Sequence, residues 1–178
     1  LTDERITRHQ FNALGQHVLS IDPRLFENQQ AEAAGKPNFT YRVSLTGEVL
    51  RTDSVDAGST LTLNDIDGRA LLKISPTGVI CRWQYEEAPQ AGRLLSISEQ
   101  GVGEQSRITE RFVWAGDSQA EKDLNLAGQC VRHYDTAGRS QTDSIGLTRA
   151  ALSVTRQLLN QCNQADWQGA DESAWEDL

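Results

Sequence analysis

The sequence is short of cysteine: its 178 residues hold three, Cys81, Cys130 and Cys162, far apart along the chain. At most one bridge could form, which excludes a disulfide framework, so each is read as a small buried apolar residue. Positive charge is also scarce. Seventeen Lys and Arg against 25 Asp and Glu leave a net charge of −8. Arginines stand beside acids, as in Asp3-Glu4-Arg5 and Glu110-Arg111, and no basic stripe forms. That excludes a general nucleic-acid binder, because the phosphate backbone would repel the chain. No run of about 18 apolar residues is present to span a bilayer. Residues 1–8 are mixed and polar, unlike a signal peptide. The first residue is Leu, so the chain is expected to be a piece of something longer, whose targeting signals would lie elsewhere. With 38% hydrophobic and 24% charged residues, the chain can build one domain with its own core. No linker divides it, so residues 1–178 are expected to form a single segment.

Catalytic patterns are missing too. Asp65-Ile66-Asp67-Gly68 invites a calcium-loop reading, but with Gly68 at the sixth position, position one is Leu63 and position twelve is Ile74, neither a ligand. Asp65 and Asp67 are instead read as turn formers. Cys130 and His133 lie three apart, on opposite faces of a strand, and should not meet. His9, His17 and His133 lack metal-ligand spacing and are read as surface or packing residues. The Glu86-Glu87 pair falls in an exposed loop, and no Gly-x-Ser-x-Gly elbow, Walker loop or Gly-x-Gly-x-x-Gly occurs. The Asn38-Phe39-Thr40 triplet fits the glycosylation pattern, which arises often by chance. The chain is expected to have no catalytic residue, no metal ligand and no cofactor.

What is present is a period of about ten residues. Glycines fall at Gly47, Gly58, Gly68 and Gly78, and again at Gly128 and Gly138. Each closes a short polar turn: Ser44-Leu45-Thr46-Gly47, Val55-Asp56-Ala57-Gly58, Ser75-Pro76-Thr77-Gly78 and Asp135-Thr136-Ala137-Gly138 are examples. Gly serves where φ is positive, and Asp, Asn or Ser before it can bond the turn backbone. Between turns the chain alternates. Val79, Cys81, Trp83 and Tyr85 are apolar around Arg82 and Gln84; Ala70, Leu72 and Ile74 alternate with polar residues; Leu95 and Ile97 are flanked by Ser96 and Ser98. A period of two predicts half-buried strands, and regular turns predict an all-β meander, barrel or curved sheet. Strands are expected over residues 6–21 around Gly15, throughout 39–98, over 108–114, near 119–124 and over 129–134. Residues 27–35 read as a loop or short helix. Residues 150–162 fit either a helix or a strand, and strand is preferred. The acidic tail from Asn163, with Trp167 and Trp175, is expected to be loose in isolation.

The unit Gly128-Gln129-Cys130-Val131-Arg132-His133-Tyr134-Asp135-Thr136-Ala137-Gly138-Arg139 resembles the YD repeat of Rhs-type proteins. Asn64-Asp65-Ile66-Asp67-Gly68-Arg69 is a degenerate copy, and Tyr85-Glu86 followed by Ala91-Gly92-Arg93 is another. Longer stretches, including Ser20-Ile21-Asp22-Pro23-Arg24-Leu25, Arg51-Thr52-Asp53-Ser54-Val55-Asp56-Ala57-Gly58 and Thr109-Glu110-Arg111-Phe112-Val113-Trp114-Ala115-Gly116, resemble the amino-terminal region of TcC components of insecticidal toxin complexes. This resemblance implies antiparallel repeat strands in a curved sheet belonging to a β-spiral shell. It implies a TcB-type partner, the remainder of the TcC shell, and an enclosed carboxyl-terminal toxin in a secreted complex. Neither nucleic acid nor membrane is an implied partner of this segment, and open strand edges suggest self-association. The family's autoprotease lies at the end of its repeat core, in an Asp-Pro-containing stretch. Asp22-Pro23 stands near the start, in a different context, so neither protease nor toxin is expected here. Tyr134 and Asp135 are read as the repeat-defining pair, the ring packing across strands and the acid fixing the turn. A carbohydrate-binding or adhesion module acting through Trp83, Trp114 or Tyr134 is the alternative.

Overall fold

A polar side chain at the first position of each turn bends this chain into hairpins. The computed structural model describes residues 4–31, 36–159 and 165–169, and structural statements below concern those residues. Four turns share one chemistry, beginning at Asn12, Ser44, Asp65 and Ser75. In each, the amide of the fourth residue, a glycine, donates to the carbonyl of the first, and the amide of the first donates to the carbonyl of the fifth. The side-chain oxygen of the first residue accepts from the amide of the fifth, at 3.0 Å for Asn12, 3.1 Å for Ser44, 2.9 Å for Asp65 and 3.1 Å for Ser75. This is a three-residue hairpin loop whose last member is left-handed, the conformation glycine adopts without strain. Gly68, for example, has φ +79°.

The chain divides into two compact units, residues 1–80 and 81–178. The first holds β1 (Arg8–Phe11), β2 (His17–Ile21), helix α1 (Pro23–Ala31), β3 (Phe39–Val43), β4 (Val49–Ser54), β5 (Gly58–Asn64) and β6 (Ala70–Ile74). Each strand pairs antiparallel with the next, and bulges follow the turns at Gln10/Phe11, Arg42/Val43 and Leu63/Asn64. α1 begins at Pro23, whose missing amide costs nothing at a helix start. Asp22 caps it by accepting from the amide of Leu25 at 2.8 Å, and Asn38 donates to the other oxygen of Asp22 at 2.7 Å. Asp22-Pro23 is therefore a helix start in this fold.

The second unit holds nearly all of β7 (Ile80–Tyr85), then β8 (Leu94–Gln100), β9 (Arg107–Trp114), helix α2 (Gln119–Asp123), β10 (Cys130–Asp135), β11 (Gly138–Ile145) and β12 (Ala151–Leu158). From β8 to β12 each strand pairs antiparallel with the next. The fold is all-β, and the ambiguous stretch at 150–162 is a strand as far as Leu158; Cys162 lies outside the described residues.

Two local expectations are corrected. Residues near 119–124 form a short helix, because Ser118-Gln119-Ala120-Glu121 is a capping box. The Ser118 hydroxyl receives the Glu121 amide while the Glu121 carboxylate receives the Ser118 amide, which ends strand pairing there. In β8 the polar residue is the buried one. Ser96 is 3% exposed, its hydroxyl donating to Gln84 Oε1 at 3.1 Å, while Leu95 and Ile97 are half-buried.

Candidate functional site: the Tyr134-Asp135 hairpin and its strap

β10 and β11 are joined by Thr136 and Ala137 alone, with Asp135 opposite Gly138. So tight a connection needs its amides satisfied locally. Asp135 does this: its Oδ1 accepts from Ala137 N at 2.7 Å and from Gly138 N at 3.0 Å. Gly138 is demanded by close approach. A Cβ there would lie 2.2 Å from the Gln157 carbonyl oxygen and 2.8 Å from the Leu159 nitrogen. Into that space comes the end of β12, where Leu159 N donates to Ala137 O at 2.9 Å. Arg139 reaches the same strand, donating from Nη2 to Gln157 Oε1 at 3.0 Å, while its Nε is buried without a hydrogen-bond partner.

Tyr134 is 1% exposed and lies under Trp167, itself 3% exposed, with ring centroids 5.1 Å apart. Residues 165–169 form a strap. β9 extends past the end of β10, which leaves Ile108 without that partner. Asp166 Oδ1 accepts from Ile108 N at 2.9 Å, and Trp167 N donates to Ile108 O at 3.0 Å. The Trp167 indole nitrogen donates to the Asp135 carbonyl at 3.1 Å. Ala165, Ile108, Val113 and Leu159 complete this cluster. A second cluster joins Ala115, Leu126 and Val131, packed by Val113 and Ile145. The expectation of a loose tail is corrected for residues 165–169, which Trp167 packs onto the sheet; Trp175 lies outside the described residues.

The other turn glycines are dispersed. Gly47, Gly68 and Gly78 close hairpin turns, Gly58 opens β5, and Gly128 precedes β10. The degenerate repeats use their acids differently. Asp65 holds Arg69 Nε at 2.7 Å, and Glu86 holds Arg93 through Nη2 at 2.6 Å and Nε at 2.9 Å. That grip keeps the Glu86 carboxyl below the usual glutamate range. Cys130 and His133 stay apart in their contacts. His133 Nε2 pairs with Glu110 at 2.8 Å and its ring stacks on Phe112 at 4.5 Å, while the Cys130 thiol, pushed up by burial, points to the Arg132 carbonyl. Cys81 and Cys130 are half-buried rather than buried as expected, and the Cys81 thiol donates to Glu99 Oε1 at 3.9 Å.

The rings named for sugar binding differ in access. Tyr134 is covered. The Trp114 nitrogen donates to Leu94 O at 2.8 Å and Arg93 lies 5.2 Å over its ring. Trp83 lines a cleft of about 490 Å³, with Arg82, Gln84, Ser96, Ser98 and Gln168 among its neighbours. Among the described residues no helix is long and apolar enough to cross a membrane.

No family model matches the chain. It is 49% identical over 175 residues to toxin subunit YenC1 of Yersinia entomophaga, and 46% identical over 194 residues to toxin subunit YenC2 of the same organism. These alignments take in 98% and 100% of this chain but only 18% and 19% of the relatives, so it spans less than a fifth of their length. Among solved structures it is similar to the crystal structure of TcdB2-TccC3 and to that complex without its hypervariable C-terminal region. Each superimposes with a TM-score of 0.93 at 54% identity, covering 97% of this chain and 8% of that one. Sequence and backbone agree over almost every residue, and the chain belongs to the TcC-type subunits of insecticidal toxin complexes, of which it represents one segment.

Proposed function

We propose that this segment is a piece of shell wall: with the rest of a TcC chain and a TcB-type partner it encloses a carboxyl-terminal toxin domain and helps deliver it from a secreted complex. The observation that carries the reading is the 54% identity and 0.93 TM-score, over 97% of the chain, to a TcdB2-TccC3 complex. The placement of apolar side chains supports it. In the first unit Ile21 is the buried hydrophobic residue among those described, while Phe11, Phe39, Val49 and Leu63 stay exposed. A sheet with so little covering needs another surface against it. β1 and β12 are exposed along almost their whole length, and such edges pair with further strands or, failing that, with copies of themselves. The segment is assigned no catalytic step and no contact with nucleic acid or membrane.

Co-expression of the tagged chain with a TcB-type component tests this. A stoichiometric complex surviving gel filtration is expected. A folded monomer that leaves the TcB component unbound would overturn it. The carbohydrate-binding reading retains one observation in its favour, the polar cleft beside Trp83. Glycan-array binding abolished by Trp83→Ala would establish it, and silence across a broad array would dismiss it.

A further inference from the structure

We infer that the β1–β2 hairpin carries a transition-metal site formed by His9 and His17. Eight residues apart, the two histidines match no helical or loop ligand spacing. The hairpin brings them together nonetheless. Antiparallel pairing sets His9 opposite Ser20 and Phe11 opposite His17, with a bulge at Gln10/Phe11. His9 Nδ1 then lies 3.2 Å from His17 Nε2, and the Leu19 carbonyl oxygen lies 2.8 Å from that same Nε2. Two electron-pair donors, His9 Nδ1 and Leu19 O, thus face His17 Nε2, itself a third, and a proton or a cation is needed to reconcile them.

In the metal-free hairpin a proton on His17 Nε2 satisfies Leu19 O and faces His9 Nδ1. A metal ion takes its place when the His17 proton moves to Nδ1, so both imidazoles bind neutral and no proton is lost. The geometry suits this exchange. With metal–nitrogen bonds of about 2.0–2.1 Å, nitrogens 3.2 Å apart subtend about 100°, near a tetrahedral angle. The Leu19 oxygen offers a weaker third donor. His17 is held in place by ring contacts with Phe11 at 5.3 Å and Tyr41 at 5.1 Å. His9 is exposed, which leaves the remaining coordination positions to water. Imidazole pairs select Zn²⁺, Ni²⁺ or Cu²⁺ over Mg²⁺ or Ca²⁺. No group of three or more His, Cys, Asp or Glu gathers around a common point among the described residues, so the site is open and of modest affinity.

The test is titration of the untagged 178-residue chain with Cu²⁺ alone, read by calorimetry and by nitrogen splitting in the electron paramagnetic resonance spectrum. One ion bound by two imidazole nitrogens is expected. Since losing even an outer-shell partner costs a metal site about 10–100-fold, His9→Ala should weaken binding about tenfold or more, and His17→Ala likewise. His133→Ala should leave it unchanged. His9 is exposed, so its variant keeps the fold and decides the matter even if His17→Ala disturbs the ring stack. Cu²⁺ should also raise the melting temperature of the parent but not of His9→Ala. Binding unchanged in His9→Ala, or lost in His133→Ala instead, would overturn the inference.

Discussion

The two units handle a one-sided sheet in different ways. Residues 1–80 make hairpin after hairpin with a repeated turn chemistry, and almost nothing folds back over the sheet: Ile21 alone among the described hydrophobics is buried there. Residues 81–178 use the same strands but return a strap across them. Trp167 covers Tyr134, the turn after α2 delivers Leu126 to Ala115 and Val131, and Ser96 and Thr109 are buried as well. Backbone pairing is therefore sufficient to draw a meander, while a core requires a segment that leaves the sheet and comes back. The unit without such a segment is the one with most reason to recruit a neighbour.

Trp167→Ala is the strongest way to break this contrast. It should cost the second unit about 3–5 kcal/mol through loss of a buried indole, and leave the first unit unfolding at its original urea concentration, as read by hydrogen exchange of β10 against β4. Equal loss in both units would show that the strap is not what distinguishes them. Gly138→Ala comes next. Its Cβ has nowhere to go beside Gln157, so a penalty of about 1–3 kcal/mol is expected from overpacking. Gly68→Ala, which meets nothing within 4 Å, should cost only about 1 kcal/mol of left-handed strain. Equal penalties by chemical denaturation would mean that β12 does not press on the Tyr-Asp turn. Arg149, left-handed at φ +64° in the turn between β11 and β12, supplies the converse: Arg149→Gly should raise stability by up to about 1 kcal/mol.

The smallest effects are electrostatic, and they should be common to both units. Hydrogen bonding from Arg93 holds Glu86 below the ordinary glutamate value, and hydrogen bonds from Ser59 and then Arg51 hold Asp53 below the aspartate value. A carboxylate with a depressed folded pKa stabilises fully above its ordinary value of 4.5 for Glu86 or 3.8 for Asp53. That contribution is lost as pH falls through the depressed value. Melting temperature should thus decline below about pH 4.5 in the parent, and less steeply in Arg93→Ala with its second unit alone affected. A second unit indifferent to Arg93→Ala at every pH would remove this ion pair from the account. The Asp53 side chain is 31% exposed against 9% for Glu86, so solvent screens Asp53 more and its share of the shift should be the smaller.

Much of the sheet was readable because two periods coincide in the sequence: apolar residues at every second position and turn glycines near every tenth. Position one of each turn was readable too, since Asn12, Ser44, Asp65 and Ser75 act within five residues of themselves. α2 could have been found from Ser118 and Glu121, a capping box that a strand-oriented reading passes over. Ser96 could not, because its burial depends on Gln84 in the neighbouring strand. Neither could the His9–His17 approach, which follows from register and a bulge.

The sequence by itself determined the all-β class, the positions of the turns and the resemblance to TcC-type subunits, since each depends on residues close together along the chain or on an ordered run of motifs. Tertiary structure alone decided that Tyr134 is covered by Trp167, that Gly138 makes room for β12, and that His9 meets His17. Those contacts join residues 33, 19 to 21 and 8 positions apart, and no local pattern encodes which distant segment will occupy the space a strand leaves open.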